Sequence, residues 1–352
     1  MDALKDADSL PVTLLTGFLG SGKTTVLNHL VRTLPRTAIL MNEFGAVALD
    51  HQLLQKMEGP LALLSGGCVC CTISGSLSPT LKNLWMARQK GDIPPFERVV
   101  IETTGIADPA PVLDNLLHDN WIRARFRLDG VVTTVDALFG MGQLDEHFEA
   151  VKQIAVADRL LLTKTDLAST ELVAALRERL ATLNPAADIV TVTHGELDPA
   201  VIQNLGLWNA ATHSLEVARW LKPQRYQTAS AGKLGGKPRA ALHDARIQAF
   251  SVVLDAPLDR YGLQSALSML TSFRAENLLR FKAIVNLQGE PQPTVLHGVQ
   301  HVLYPEVKLD AWPDDDRRSR FVFIVRDLDP EFVAKLLADF SGAAQNPAAV
   351  SP

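Results

Sequence analysis

Pro11-Val12-Thr13-Leu14-Leu15-Thr16 runs without a break into Gly17-Phe18-Leu19-Gly20-Ser21-Gly22-Lys23-Thr24-Thr25, and the fold class turns on how this stretch is read. The first six residues predict a short buried strand. The next eight fit GxxxxGK[ST], and TVLNHLVRTL behind them repeats with helical spacing. Glycines there let backbone N–H groups curl around phosphate oxygens, and the start of a helix adds its dipole at the same point. Lys23 is expected to reach the β- and γ-phosphates, and the Thr24 hydroxyl to coordinate Mg²⁺. Gly17, Phe18, Leu19, Gly20, Ser21, Gly22 and Thr25 complete the expected phosphate-binding loop. An accidental glycine-rich turn would lack these flanks.

Working outward, strand-like runs follow at Thr37–Met41, Arg98–Glu102, Gly130–Val135, Arg159–Thr163 and Ile189–Val192, with helical patterns between most of them. This spacing predicts an α/β domain with a mainly parallel sheet covered by helices on both faces. Ligands of such sheets sit at the C-terminal strand ends. One strand end reads Glu102-Thr103-Thr104-Gly105: an acid placed to orient Mg²⁺ or its water, and a glycine N–H placed to sense a γ-phosphate. By itself ETTG also reads as the start of a helix. A second strand end reads Thr163-Lys164-Thr165-Asp166, similar to the guanine-reading NKxD motif with threonine for asparagine. Asp166 can accept two hydrogen bonds from guanine N1 and N2, which adenine does not present. TKTD alone serves equally as a helix cap before Leu167, but four strands after a phosphate loop it favours GTP. Asp136, at the end of Gly130–Val135, is expected to be a cap.

Every cysteine of the chain lies in LSGGCVCCT, residues 64–72, at Cys68, Cys70 and Cys71. Neighbouring cysteines pair only through strained geometry and close almost no loop. They are expected to form a turn that binds a soft metal ion, against the plainer reading of three small apolar residues. Thiolates suit Zn²⁺, Cu⁺ or iron–sulfur chemistry, whereas Mg²⁺ prefers oxygen. The 352 residues are 47% hydrophobic and 21% charged, with a formal net charge of −5. That balance gives no electrostatic footprint for nucleic acid or anionic lipid. The start MDALKDADSLP is too acidic for a signal or transit peptide, and no apolar run approaches a membrane span. Clustered thiols without a leader point to a reducing cytoplasm.

In this order the loop, CVCC, ETTG and TKTD resemble the CobW-like family of P-loop GTPases, the metallochaperones. VTLLTGFLGSGKTT, NEFG, ADRLLLTKTD and TVTHG resemble its bacterial YjiA-type branch, and the likeness covers nearly the whole chain. The resemblance implies that hydrolysis of GTP to GDP, with Mg²⁺, drives the delivery of Zn²⁺ or a related divalent metal to a client metalloprotein. It implies Cys68, Cys70 and Cys71 as metal-binding thiols, and Asn42-Glu43-Phe44-Gly45 as a first switch within reach of metal and nucleotide. His118 matches a further metal contact of the family, although alone it reads as a surface-helix residue. Three sulfurs leave the tetrahedral shell of Zn²⁺ unfilled, so Glu43, His118, water or a client would supply the fourth ligand. The chain departs from the pattern at Met41 and Ala46, where relatives of this branch carry switch glutamates. It has no histidine tract to store metal.

Past TVTHG, Leu221–Asp244 is rich in Pro, Gly, Lys and Arg and reads as a linker. The expected plan is a GTPase domain over 1–215, a linker over 216–245, a smaller α+β domain over 246–345 and a tail over 346–352. In the α+β domain, strands are expected at Ile247–Leu254, Phe281–Leu287, Thr294–Leu303 and Arg320–Val325, with helices over Leu258–Ser272 and Glu331–Phe340. Its expected task is recognition. Trp312, His297 and Arg280 are candidates for client contact, with core packing and surface charge as the plainer readings. Two rival functions remain: a P-loop kinase of a small molecule with CVCC as a structural zinc knot, against which TKTD argues, and a non-enzymatic metal sensor or buffer that uses nucleotide only for structure.

Overall fold

The computed structural model describes residues 9–41, 54–56, 61–64, 69–72, 77–205, 246–342 and 350–351, with backbone alone for 54–56, 61–64, 69–72 and 350–351. Glu43, Cys68, the expected linker 216–245 and the expected tail except 350–351 lie outside the described residues. The chain forms two compact units, one drawn from 1–143, 157–177 and 188–208, the other from 144–156, 178–187 and 209–352. Among the described residues no helix is long and apolar enough to cross a membrane.

Up to residue 192 the elements are β1 (Leu10–Gly17), α1 (Lys23–Thr33), β2 (Thr37–Met41), β3 (Leu54–Lys56), β4 (Leu61–Leu64), β5 (Val69–Thr72), α2 (Leu77–Lys90), β6 (Arg98–Glu102), α3 (Ala110–His118), α4 (Asn120–Arg123), β7 (Phe126–Asp136), α5 (Gly140–Glu146), α6 (Phe148–Ala155), β8 (Arg159–Thr163), α7 (Thr170–Leu183) and β9 (Asp188–Val192). The sheet order is β3-β4-β5-β2-β6-β1-β7-β8-β9. From β5 to β9 in that order the neighbours run parallel, while β3 and β4 join antiparallel at the edge. All five residues of β2 are buried, the continuous apolar pattern of a strand covered on both faces. Val26, Leu27, Leu30 and Val31 place one stripe of α1 against Leu15, Ile39, Val100, Val132 and Leu161. After β1 the chain moves to one side of the sheet, and β7 returns on the other. The crevice for ligands therefore opens at the C-terminal end of β1.

The cysteine stretch departs from expectation. Val69–Thr72 is a strand, paired parallel with β2 and antiparallel with β4, rather than part of a turn. Backbone partners on both sides satisfy its N–H and C=O groups, which outweighs the turn signal of the preceding glycines.

The second unit's sheet is built from β10 (Ile247–Leu254), β11 (Leu278–Val285), β12 (Thr294–Val299), β13 (Val302–Leu303), β14 (Val307–Lys308), β15 (Ser319–Arg326) and β16 (Val350–Ser351), with helices α8 (Arg260–Phe273) and α9 (Pro330–Ser341). The order is β13-β12-β11-β15-β10-β16, with β14 also on β12. Both β10 and β11 are antiparallel to β15, hence parallel to each other, and α8 is the crossover between them. The same holds for β15, α9 and β16. This is a split βαβ arrangement. Asp259 and Asp329 cap the two helices, with Pro330 at the first turn of α9. A Cβ on Gly262 would lie 1.8 Å from the Phe340 carbonyl oxygen, so only glycine allows the helices to pass so closely. Phe250, Phe281, Phe321 and Phe323 fill the core, and Ala155 of α6 packs with Leu279 and Ile324. The expected strand over Thr294–Leu303 is broken at Gln300, whose φ of 51° turns the chain.

Arg280 and His297 are not surface contacts for a client. Both are buried. Arg280 Nε donates to His297 Nε2 at 3.0 Å, and its Nη1 donates to the Val156 carbonyl at 2.6 Å. Burial demands such partners for a guanidinium. Trp312 is half-buried, with Arg317 over its ring at 5.7 Å.

Candidate functional site

The loop between β1 and α1 is shaped by where its carbonyls go. Lys23 Nζ donates to the Gly17 and Phe18 oxygens at 2.7 and 3.0 Å. Ser21 Oγ donates to Phe18 O at 2.7 Å, as does the Ser21 N–H at 3.2 Å. Lys164 Nζ donates to Gly20 O at 2.7 Å, and Thr163 Oγ1 to Ser21 O at 2.8 Å. Gly17, Gly20 and Gly22 have φ values of 143°, 73° and 91°, which side chains resist. A Cβ on Gly20 would meet nothing within 4 Å, so this open corner is kept clear by the absence of a side chain. Helix α1 begins at Gly22 with no side-chain cap and no acid in its first turn. No acid of the helix itself offsets its positive end, which suits a phosphate.

Glu102 ends β6, in register with Leu15 of β1 and Met41 of β2. Thr24 Oγ1 donates to Glu102 Oε1 at 3.3 Å, putting two hard oxygen donors side by side as Mg²⁺ requires. Burial pushes the Glu102 carboxyl above its ordinary range, with nearby Lys23 and the Thr24 hydrogen bond pulling it back less strongly. Burial likewise lowers Lys23, against an opposing pull from Glu102. A carboxylate destabilised by burial is one that a cation would stabilise. Thr103 Oγ1 donates to Thr16 Oγ1 at 2.8 Å, and a Cβ on Gly105 would stand 2.6 Å from Leu19 Cδ2 and 2.8 Å from Leu19 Cα. The segment after β6 is therefore in contact with the phosphate-loop backbone.

Thr163 ends β8, and its hydroxyl makes the tie to the loop at Ser21. Asp166 is exposed in the following turn. A Cβ on Gly195, in the turn after β9, would lie 2.8 Å from Thr25 O, so this turn also borders the start of α1. Three features were missed in the sequence reading: the Ser21–Thr134 hydroxyl contact at 2.7 Å, the approach of Gly195, and a second task for Asp136. As expected, Asp136 caps the N–H groups of Leu138 and Phe139. It also pairs with Lys164 at 2.7 Å, for which its place at a strand end beside Thr163 was the only available signal.

The metal residues are brought together less fully. Cys70 and Cys71 lie in β5, opposite Ile39 and Leu40 of β2. His118 ends α3, half exposed, with Nδ1 2.8 Å from Asp114 Oδ1. Among the described residues no group of three or more His, Cys, Asp or Glu side chains is arranged to hold a metal ion.

Residues 11–191 match the family model described as the CobW/HypB/UreG nucleotide-binding domain, and residues 247–341 match the cobalamin synthesis protein CobW C-terminal domain. The chain is 36% identical over 338 residues to the zinc chaperone YjiA of Escherichia coli, spanning 95% of this chain and 98% of that protein. It is 39% identical over 200 residues to zinc-regulated GTPase metalloprotein activator 1 of Schizosaccharomyces pombe, 54% of this chain and 47% of that protein. The crystal structure of Zn(II)-bound YjiA GTPase from E. coli matches with a TM-score of 0.72 at 32% identity, covering 94% of this chain and 99% of that one. A phosphate-type loop, a strand-end acid and both domain matches thus lead to one conclusion: this chain belongs to the CobW/HypB/UreG family.

Proposed function

We propose that the protein is a GTP-hydrolysing metallochaperone that binds zinc or a related divalent ion and passes it to a client protein. The observation that carries the proposal is the pairing of Thr24 with Glu102 beside a loop whose carbonyls accept from Lys23, Thr163 and Lys164. The names of the relatives, zinc chaperone and zinc-regulated GTPase metalloprotein activator, support the same reading.

In this reading Lys23 neutralises the β- and γ-phosphates, and the loop N–H groups, Gly22 to Thr25 among them, bind the phosphate oxygens. Mg²⁺, when bound, supplies charge neutralisation between the β- and γ-phosphates. Thr24 and Glu102 are the residues to hold it, Glu102 directly or through water. Gly105 offers its N–H to the γ-phosphate, and Asp166 accepts from guanine N1 and N2. Zinc is cargo, taken by Cys68, Cys70 and Cys71 with Glu43 or His118 completing the shell. Thiols that must stay reduced imply a cytoplasmic setting. The second unit would recognise the client.

The test uses the full chain. Turnover of GTP and ATP is measured with and without Zn²⁺, and Zn²⁺ affinity is measured by chelator competition in GDP and in a non-hydrolysable GTP analogue. GTP should be strongly preferred, and Asp166→Ala should erase that preference. Zinc affinity should differ between the two nucleotides by about 5- to 150-fold. Equal zinc affinities defeat the chaperone reading, and equal use of ATP defeats the guanine reading.

A further inference from the structure

Asp136 has no place in the proposed chemistry, yet it is fully buried at the C-terminal end of β7, among the strand ends that form the site. Its two oxygens have separate tasks. Oδ1 accepts from the N–H groups of Leu138 and Phe139 at 2.8 and 3.1 Å. That bond fixes the orientation of the carboxylate and leaves Oδ2 facing Lys164 Nζ at 2.7 Å. A buried carboxylate without a cation is costly, and one whose second oxygen is pinned can hold its cation in only one place. Lys164 itself is at φ 55°, a left-handed conformation that lysine rarely adopts and that its surroundings must maintain. The ammonium so held also donates to Gly20 O.

The effect on the loop follows from peptide geometry. The unit joining Gly20 to Ser21 is fixed at both ends, its carbonyl by Lys164 and its N–H by Phe18 O at 3.2 Å. The next carbonyl, of Ser21, is taken by Thr163 Oγ1. Because N–H and C=O point oppositely across a trans peptide, a Ser21 carbonyl aimed at Thr163 turns the Gly22 N–H the other way. Thr163 and Lys164 are consecutive and precede Asp166 by three and two residues. Whatever fixes Lys164 therefore fixes the phosphate loop against the segment proposed to read the base.

We infer that Asp136 is a positioning residue for nucleotide binding: through Lys164 it clamps the phosphate loop to the base-reading segment. The inference rests on the GTP reading above and adds to it the residue that sets the spacing between the phosphate and base ends of the site. It concerns parts of the nucleotide common to GTP and GDP, so the two should be affected alike.

Asp136→Asn keeps an oxygen for the Leu138 and Phe139 caps and removes the charge. It should weaken GTP and GDP binding equally, by about tenfold, and raise KM with kcat nearly unchanged. Since the variant leaves Lys164 without its counter-charge, it should also lower the melting temperature, and a second protein separates the two effects. In Asp136→Asn/Lys164→Met neither charge remains, so stability should recover while affinity stays low, because Gly20 O has lost its ammonium. Recovery of affinity along with stability would reduce the pair to a structural role and overturn the inference. So would wild-type affinity in Asp136→Asn. Wild-type protein run alongside keeps the two readings apart: if it shows no preference for GTP over ATP, the functional proposal fails, whereas normal preference with an indifferent Asp136→Asn sinks only the clamp.

Discussion

At Glu102 two influences oppose each other: burial disfavours the carboxylate, while Lys23 and the Thr24 hydroxyl favour it, and burial is the larger. A glutamate so placed holds its proton to a higher pH than a free one. Any step that needs the carboxylate is therefore lost on acidification while the pH is still above the ordinary glutamate range. The effect on stability has the opposite sense, since the contribution of Glu102 is complete below the ordinary value and fades as pH rises through the raised one. The profile of kcat/KM for GTP against pH, which reports the free enzyme, should show an acidic limb above the usual glutamate value. A limb at or below that value removes Glu102 as the titrating group. Lys23, Thr24, Glu102 and Thr163 were legible in the sequence because their motifs are local. The ion pair of Asp136 with Lys164 spans 28 residues and exists only through the β7–β8 register, which no local pattern records. The Arg280–His297 pair, 17 residues apart, was opaque for the same reason: burial of two polar residues depends on what the sheet packs against.

Among elements, the segment after β6 passes close to the phosphate loop. Alanine at Gly105 would bring a methyl group within 2.8 Å of Leu19 Cα, which is backbone and cannot step aside as a flexible side chain would. The two segments must then separate. A displacement on the scale of an ångström costs catalysis about 10- to 100-fold, so Gly105→Ala should lose that much turnover while GDP binding stays near wild type. Single-turnover hydrolysis and GDP titration decide it, and a wild-type hydrolysis rate would mean that the contact carries no function. The strands of the parallel sheet were readable from their apolar runs. Strand β5 was not, because the glycines before it have turn character in isolation, and its partners in β2 lie 31 positions away. The break after Val299 was hidden too, since nothing in VLHGVQHVL announces a left-handed Gln300.

For the whole molecule, the grouping of residues in space crosses the order of the chain. Arg280, in the second half, holds the carbonyl of Val156, 124 residues earlier, and Ala155 shares a cluster with Leu279 and Ile324. Periodicity showed α6 and the later strands as separate patterns and gave no sign that they share a core. Arg280→Ala removes a buried side chain and strands the Val156 oxygen, so it should destabilise the full chain by about 2–4 kcal/mol. Urea unfolding measures this. A loss below about 0.5 kcal/mol, the range of an ordinary surface change, would show the bond to be dispensable.

The ladder between β2 and β5 bears on how the chain can vary in length. Ile39, Leu40 and Met41 pair one to one with Cys70, Cys71 and Thr72. One residue inserted or deleted inside 69–72 would shift every later pair and turn the strand over. The same change between positions 42 and 68, but outside the paired residues of β3 and β4, leaves every one of these registers untouched. Insertions and deletions among relatives should therefore gather between the two strands, while the spacing within CVCC stays constant as a length the sheet itself enforces.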